Sequence, residues 1–307
     1  MKFSIFQDSR PGGREYNQDR LGHWYTRDSL LLVLADGMGG HLLGEVAAQI
    51  AVDTLAAAFQ KEAQTHLPDP GPFLERGVRR AHAAIDAYTE RLRLPDSPRT
   101  TLVACVVQDG TAWWTHVGDS RLYLVRRGAV LARTRDHTRV QQLVDQGRIR
   151  EEAVSSHPER NQLLRCLGGG HVPAIEPVSS APLAREDILL LCSDGFWGPL
   201  SQGVMLGKLG QKSLAEALPD LMSLAQVRGG PGCDNLSVVA INWGDDAAGQ
   251  HALAAPITVP SYDLPTDPRA LAADDPALAE VPMTDAEIEQ AIADLKVVLK
   301  QHSQGKK

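Results

Sequence analysis

The segment Leu30 to Glu45, LLLVLADGMGGHLLGE, constrains this chain more than any other. Leu30 to Ala35 run apolar without a break and deliver Asp36 into a glycine-rich turn. A run of that length, bounded by turn residues, reads as a strand buried on both faces. A carboxylate at its end is costly unless it meets a cation or several donors. Gly37, Gly39 and Gly40 let the backbone bend sharply and approach a ligand closely. The competing reading is a strand-to-helix turn with Asp36 as a simple cap. The rest of the chain decides between them.

At 307 residues there is room for one large domain or two small ones with ample core. No apolar run approaches the roughly 18 residues of a membrane span. The start, MKFSIFQDSR, lacks the apolar stretch of a signal peptide, so a cytoplasmic location is expected. Cys105, Cys166, Cys192 and Cys233 form no C-x-x-C pair, and none is followed six positions later by arginine. That argues against a zinc site and a cysteine-dependent phosphatase, and suits buried thiols in a reducing compartment. Of the net charge of -7, residues 244–307 contribute 11 acids against 5 bases. No basic face dominates, which argues against nucleic acid as a partner.

Taken in order, Met1–Asp8, Leu21–Thr26 and Leu30–Ala35 read as strands. Apolar residues then recur at helical spacing from Leu43 to about Ala63, and again from Leu74 to Leu92 after a proline-rich break. The period changes to two for Thr101–Val107, Thr111–Val117, Arg121–Val125 and Val130–Thr134, with Asp109-Gly110 as a hairpin signal. Arg139–Leu167 is polar, with short helices and loops expected. Ile188–Cys192 is a second fully apolar strand, Leu214–Val227 is helical, and Leu236–Trp243 is a last strand. Strands and helices arrive in blocks, which points to an α+β fold with antiparallel sheet.

Asp-Gly follows an apolar strand twice, at Asp36-Gly37 and Asp194-Gly195. Asp119 and Asp234 stand at short turns beside strands, and Asp19 ends an N-Q-D triplet. Buried carboxylates that converge must either protonate or bind metal. Oxygen ligands without His or Cys suit hard cations such as Mg²⁺ or Mn²⁺. Several aspartates sharing one site suggest two ions that activate water for displacement at phosphorus.

With these residues in hand, the chain resembles the metal-dependent Ser/Thr phosphatases of the protein phosphatase 2C family in their bacterial form. The matching pieces are G-R-E-Y-N-Q-D (13–19), A-D-G-M-G-G-H-L-L-G-E (35–45), T-T-L-V-A (100–104), H-V-G-D-S-R (116–121), T-R-D-H-T (134–138), L-C-S-D-G (191–195) and C-D-N-L-S-V-V (233–239). They occur in family order and cover about residues 1–243.

The resemblance implies a central sandwich of two antiparallel sheets flanked by helices. It also implies hydrolysis of phosphoserine and phosphothreonine in proteins, by in-line attack of a metal-bridging water or hydroxide and without a phosphoenzyme. By position, Asp36 would bridge two Mn²⁺ or Mg²⁺ ions, the Gly37 carbonyl would hold the second, and Asp194 and Asp234 the first. Asp119 would support a third, weaker ion, Asp19 would act mainly through metal-bound water, and Arg14 would grip the substrate phosphate. Asn235 is expected to orient Asp234. Substrates would be phosphoproteins, among them a Ser/Thr kinase of the same cell and its targets. The rival reading is a catalytically inactive phosphoprotein-binding module on the same fold. Inactive copies usually lose a metal aspartate, whereas Asp36, Asp194 and Asp234 are all present. No G-x-x-x-x-G-K-[ST] loop supports other phosphate chemistry.

Two departures stand out. Eukaryotic members have a histidine, proposed as general acid, where Met38 stands, which makes His41 the nearest candidate; capping or packing at the helix start is the alternative. Arg99 stands where the family often has glycine. Arginines of the 139–171 segment, notably Arg148 and Arg150, could meet acidic or doubly phosphorylated substrates. After Trp243 the resemblance stops. Residues 244–282 read as an acidic, Ala/Pro-rich linker. Residues 283–301 read as an amphipathic helix, opened by a capping box at Thr284 to Glu287, which could dock on the body, a partner or its own copy. Membrane binding is not expected of it.

Overall fold

The computed structural model describes residues 1–38 and 43–244, apart from the side chains of Ser155 and Ser156. His41, most of the expected linker and the expected C-terminal helix lie outside those residues. Ten strands form two antiparallel five-stranded sheets. The first contains β2 (Asp19–Tyr25), β3 (Ser29–Asp36), β4 (Leu102–Gln108), β5 (Thr111–Val117) and β8 (Ser179–Pro182), in the order β2-β3-β4-β5-β8. The second contains β1 (Phe3–Arg10), β6 (Arg121–Arg126), β7 (Ala129–Arg133), β9 (Ile188–Cys192) and β10 (Leu236–Trp243), in the order β1-β10-β9-β6-β7.

The alternation of side chains along a strand explains why β3 has no polar face. Leu30, Leu32 and Leu34 point inward and meet Leu122, Leu124, Leu189, Leu191, Val239 and Ile241 of the second sheet. Leu31, Val33 and Ala35 point outward beneath α1 (Gly44–Glu62) and α2 (Pro70–Leu92). The same logic applies to β9. Ile188, Leu190 and Cys192 face a second helical layer of α4 (Asp194–Trp197), α5 (Gln202–Leu209) and α6 (Leu214–Gly229). Two helix layers therefore enclose the sandwich, and burial on both faces is what the continuous apolar runs require.

Local chemistry sets the joints. Asp109 and Gly110 both adopt positive φ (50° and 68°), the pattern of a type I′ turn, and close the β4–β5 hairpin at Gln108 and Thr111. α2 begins four residues before its apolar stripe, because Pro70 occupies the first turn, where its missing N–H costs nothing. In the polar segment, α3 (Arg139–Asp145) is capped by the Thr138 hydroxyl, which accepts from the Gln141 amide, and a short 3-10 turn follows at Glu151–Ser156.

Candidate metal centre

The two sheets bring their aspartates to one edge of the sandwich. In the first sheet the β2–β3 register sets Asp19 directly opposite Asp36. Like charges facing each other across a strand pair are destabilising. In the second sheet Asp194 follows β9, and Asp234 precedes the neighbouring strand β10. Asp119 sits in the short turn between β5 of one sheet and β6 of the other. The sheets are tied here, since the Ser193 hydroxyl donates to Asp19 Oδ2 at 2.8 Å. The Asp194 and Asp36 carboxyls also lie within hydrogen-bonding reach of each other.

Burial and mutual repulsion act together on these groups. Asp19 is fully buried, and its pKa is pushed up to about 7, first by loss of water and then by the charges of Asp194 and Asp234, against hydrogen bonds from Ser237 and Ser193. Burial, followed by Asp234, raises Asp194 to about 6. Burial also holds Asp36 and Asp119 well above the usual carboxylate range, with the neighbouring aspartates adding to it. Ionised, this set wants more positive charge than Arg14, which pairs with Asp234, brings to it.

The donor set fits divalent cations. It is all oxygen, and Asp19 Oδ1 is buried without a hydrogen-bond partner. Among the described residues no three such side chains are already drawn into a closed cage, as expected of carboxylates that repel one another. Gly37, expected from the resemblance to offer its carbonyl to a metal, also has a packing reason to be glycine. A Cβ there would lie 2.4 Å from the Gly44 carbonyl oxygen and 2.7 Å from that of Gln18.

A polar scaffold fixes the backbone that carries the carboxylates. The Thr100 hydroxyl and the Thr101 amide both donate to the Asp36 carbonyl at 2.9 Å, and the Asp36 amide donates to Thr101 Oγ1 at 3.0 Å. The Trp197 indole N–H donates to the Asp119 carbonyl at 3.0 Å. Its ring carries the Arg121 guanidinium 3.3 Å above the centroid, and Asp136 grips that guanidinium at 2.8 and 2.6 Å. Nothing in the sequence reading singled out Trp197; its place directly after Asp194-Gly-Phe was the available signal.

Arg14 reaches the same cleft and donates to Asp234 Oδ2 at 2.9 Å. Asn235, expected to orient Asp234, touches it through the main chain. Its backbone N–H, not its side chain, donates to Asp234 Oδ1 at 2.9 Å. The side chain instead holds the loop bearing Arg14: Nδ2 donates to the Pro11 and Tyr16 carbonyls at 2.9 and 3.0 Å, and Oδ1 accepts from the Gln18 amide at 2.8 Å. Gln18 and Arg20 complete that clamp. Gln18 donates to Glu45, while Arg20 donates to the Asn17 and Asp19 carbonyls and to Gln49. A cavity of about 750 Å³ opens from Arg14, Asp119, Asp194 and Asp234.

A helix-flanked double sheet with carboxylates gathered at one edge defines the class of metal-dependent phosphohydrolases. The particular family follows from comparison with known proteins. The family model for protein phosphatase 2C matches residues 8–217, more than half the chain, and the chain belongs to that family of hydrolases. The serine/threonine protein phosphatase PstP of Mycobacterium tuberculosis is 40% identical over 227 residues, covering 72% of this chain. The match spans only 41% of that relative's length. The serine/threonine phosphatase stp of Listeria welshimeri is 31% identical over 239 residues, covering 77% of this chain and 94% of that protein. The crystal structure of the PstP catalytic domain in complex with two manganese ions superposes with a TM-score of 0.67 at 33% identity, covering 78% of this chain and 97% of that one.

Proposed function

We propose that the chain is a divalent-metal-dependent phosphatase for phosphoserine and phosphothreonine in proteins. The observation that carries this reading is the convergence of Asp19 and Asp36 from one sheet with Asp194 and Asp234 from the other, beside Arg14. Asp36, the Gly37 carbonyl, Asp194 and Asp234 would hold two ions, Mn²⁺ or Mg²⁺, with Asp119 serving a third and Asp19 supporting the set. Bound there, the cations supply charge that makes water a better nucleophile and neutralises the phosphoryl oxygens.

The chain's own residues do the rest. The planar fork of Arg14 matches two phosphate oxygens. Its tie to Asp234 aims it at the cleft. Positioning and electrostatic stabilisation then carry phosphoryl transfer. A thiol intermediate is disfavoured, because burial and the nearby Asp234 and Asp194 push the Cys233 pKa up and keep it a poor nucleophile. The substrates we envisage are phosphoproteins of the cytoplasm, including a Ser/Thr kinase and its targets. No helix among the described residues is long and apolar enough to cross a membrane.

Hydrolysis of p-nitrophenyl phosphate and of phosphothreonine peptides tests this. Turnover is expected with Mn²⁺, and its loss with EDTA and in Asp36→Asn. Turnover indifferent to chelation would overturn the reading.

A further inference from the structure

The cavity does not end at the aspartates. Its lining continues through the 138–161 segment and through the 197–205 and 228–234 segments. About 750 Å³ is far more room than a phosphoryl group needs, and lies within the roughly 300–1,000 Å³ of sites that enclose larger ligands. An extended peptide advances about 3.3 Å per residue, so residues flanking a phosphothreonine held at Arg14 would lie along this lining.

Five arginines line the cavity: Arg14, Arg121, Arg133, Arg160 and Arg228. Three have carboxylate partners, namely Asp234 for Arg14 (2.9 Å), Asp136 for Arg121 (2.6 Å) and Glu151 for Arg133 (3.3 Å). That leaves two. Among the described residues neither Arg160 nor Arg228 makes an ion pair, and the Arg228 guanidinium reaches only the Pro199 carbonyl, at 3.5 Å. Both are exposed. The remaining acids of the lining are Asp119 and Asp194, which belong to the metal set. Beyond the metal centre, the wall therefore carries two arginines with no counter-charge among the described residues. Arg148 and Arg150, toward which the sequence pointed, do not line the cavity.

We propose that Arg160 and Arg228 form a second anion subsite. It receives a carboxylate or a further phosphate on the segment flanking the phosphoresidue, and so selects acidic or multiply phosphorylated proteins. This rests on the phosphatase reading above. A guanidinium offers the same forked donors to a carboxylate as to a phosphate, so both chemistries satisfy the subsite. Arg133 can join it, because its partner Glu151 is 70% exposed and free to swing away.

The test uses the full chain and three phosphothreonine peptides that differ only in their flanks: glutamate, a second phosphothreonine, or glutamine. Exposed charge pairs are each worth about twofold to fivefold. With two arginines engaged, kcat/KM for either anionic peptide should exceed that for the glutamine peptide by roughly fivefold to twentyfold at low salt, and the ratio should shrink as salt screens it. In Arg160→Ala with Arg228→Ala the ratio should fall toward one, whereas Arg148→Ala with Arg150→Ala should keep it. A response to only one anionic peptide identifies the group that the subsite reads. Equal kcat/KM on all three peptides, or a ratio that survives loss of Arg160 and Arg228, overturns the subsite. Failure of the wild type to hydrolyse even p-nitrophenyl phosphate counts against the phosphatase reading instead. Peptide affinity, measured by fluorescence anisotropy in the same series, then decides the subsite by the same ratios.

Discussion

Truncating Asn235 to alanine separates two roles that the sequence cannot tell apart. The residue is 6% exposed, and its side chain makes three hydrogen bonds, all to the backbone of residues 11–18, the loop that carries Arg14. Each such bond contributes about 1 kcal/mol net. Pro11 and Tyr16 lie near solvent, so water recovers part of their share, while the Gln18 amide is left without an acceptor. The expected loss is roughly 2–3 kcal/mol, which for a domain of this size lowers Tm by about 4–12 °C.

The distinguishing readout is the split between metal and substrate. Asn235→Ala keeps the backbone N–H that holds Asp234 Oδ1, so Mn²⁺ affinity by titration calorimetry should change less than about threefold. The loop bearing Arg14 loosens, so KM for a phosphothreonine peptide should rise about tenfold, the cost of one charge-assisted contact. Were the side chain instead orienting Asp234, metal affinity would drop about 10–100-fold, the usual effect of removing a ligand's outer support. A drop of that size with KM unchanged refutes the loop-clamp argument.

Two further outcomes are expected. At Gly195 an added Cβ would lie 2.1 Å from the Asn235 carbonyl oxygen. Gly195→Ala should therefore cost about 1–3 kcal/mol of stability by overpacking and weaken Mn²⁺ binding, whereas Gly207→Ala, whose Cβ meets nothing within 4 Å, should be neutral or stabilising in a thermal melt. The second concerns pH. His137 accepts from the Gly118 amide, stacks on His116 and faces Arg165 and Glu176. Burial, then His116 and Arg165, pull its pKa down to about 4, against a smaller upward pull from Glu176. The unfolded chain thus binds this proton first, so the contribution is fully present above about pH 6.5 and is lost as pH falls toward 4. It is worth at most about 3 kcal/mol. Urea unfolding of wild type against His137→Asn reads it together with its partner Glu176, because the aspartates of the metal centre cancel in the difference; parallel curves from pH 7 to 4 would refute it.

Much of the fold was legible because its central strands carry their environment in their composition. The runs Leu30–Ala35 and Ile188–Cys192 are apolar at every position because each has a sheet on one side and helices on the other. Strand β8 was not legible. Ser179–Pro182 is an exposed, four-residue edge strand ending in proline, with neither alternation nor length to betray it. Helix α5 escaped for a related reason: Gly203 and Gly207 lie within its eight residues, and its stability comes from packing against α6 rather than from propensity.

The site divides along the same physical line. Asp36 and Asp194 announce themselves because each ends a fully buried strand, where a carboxylate has no cheap reason to be. A carboxylate at the end of a surface strand can turn toward water and relax; one anchored to a strand packed on both faces has little freedom to do so. The protein thus sets its most costly residues on strands packed on both faces, and the burial and repulsion that raise Asp19 and Asp194 are held in place by the sandwich core. What the sequence could not reveal was register and pairing. That Asp19 faces Asp36 depends on a strand alignment in which a one-residue slip would turn every side chain to the other face. That Arg160 and Arg228 make no ion pair among the described residues depends on where Asp136 and Glu151 spend their charge, on arginines 15 and 18 residues away. Charge composition along a chain is readable; which charges remain uncancelled is a property of the fold.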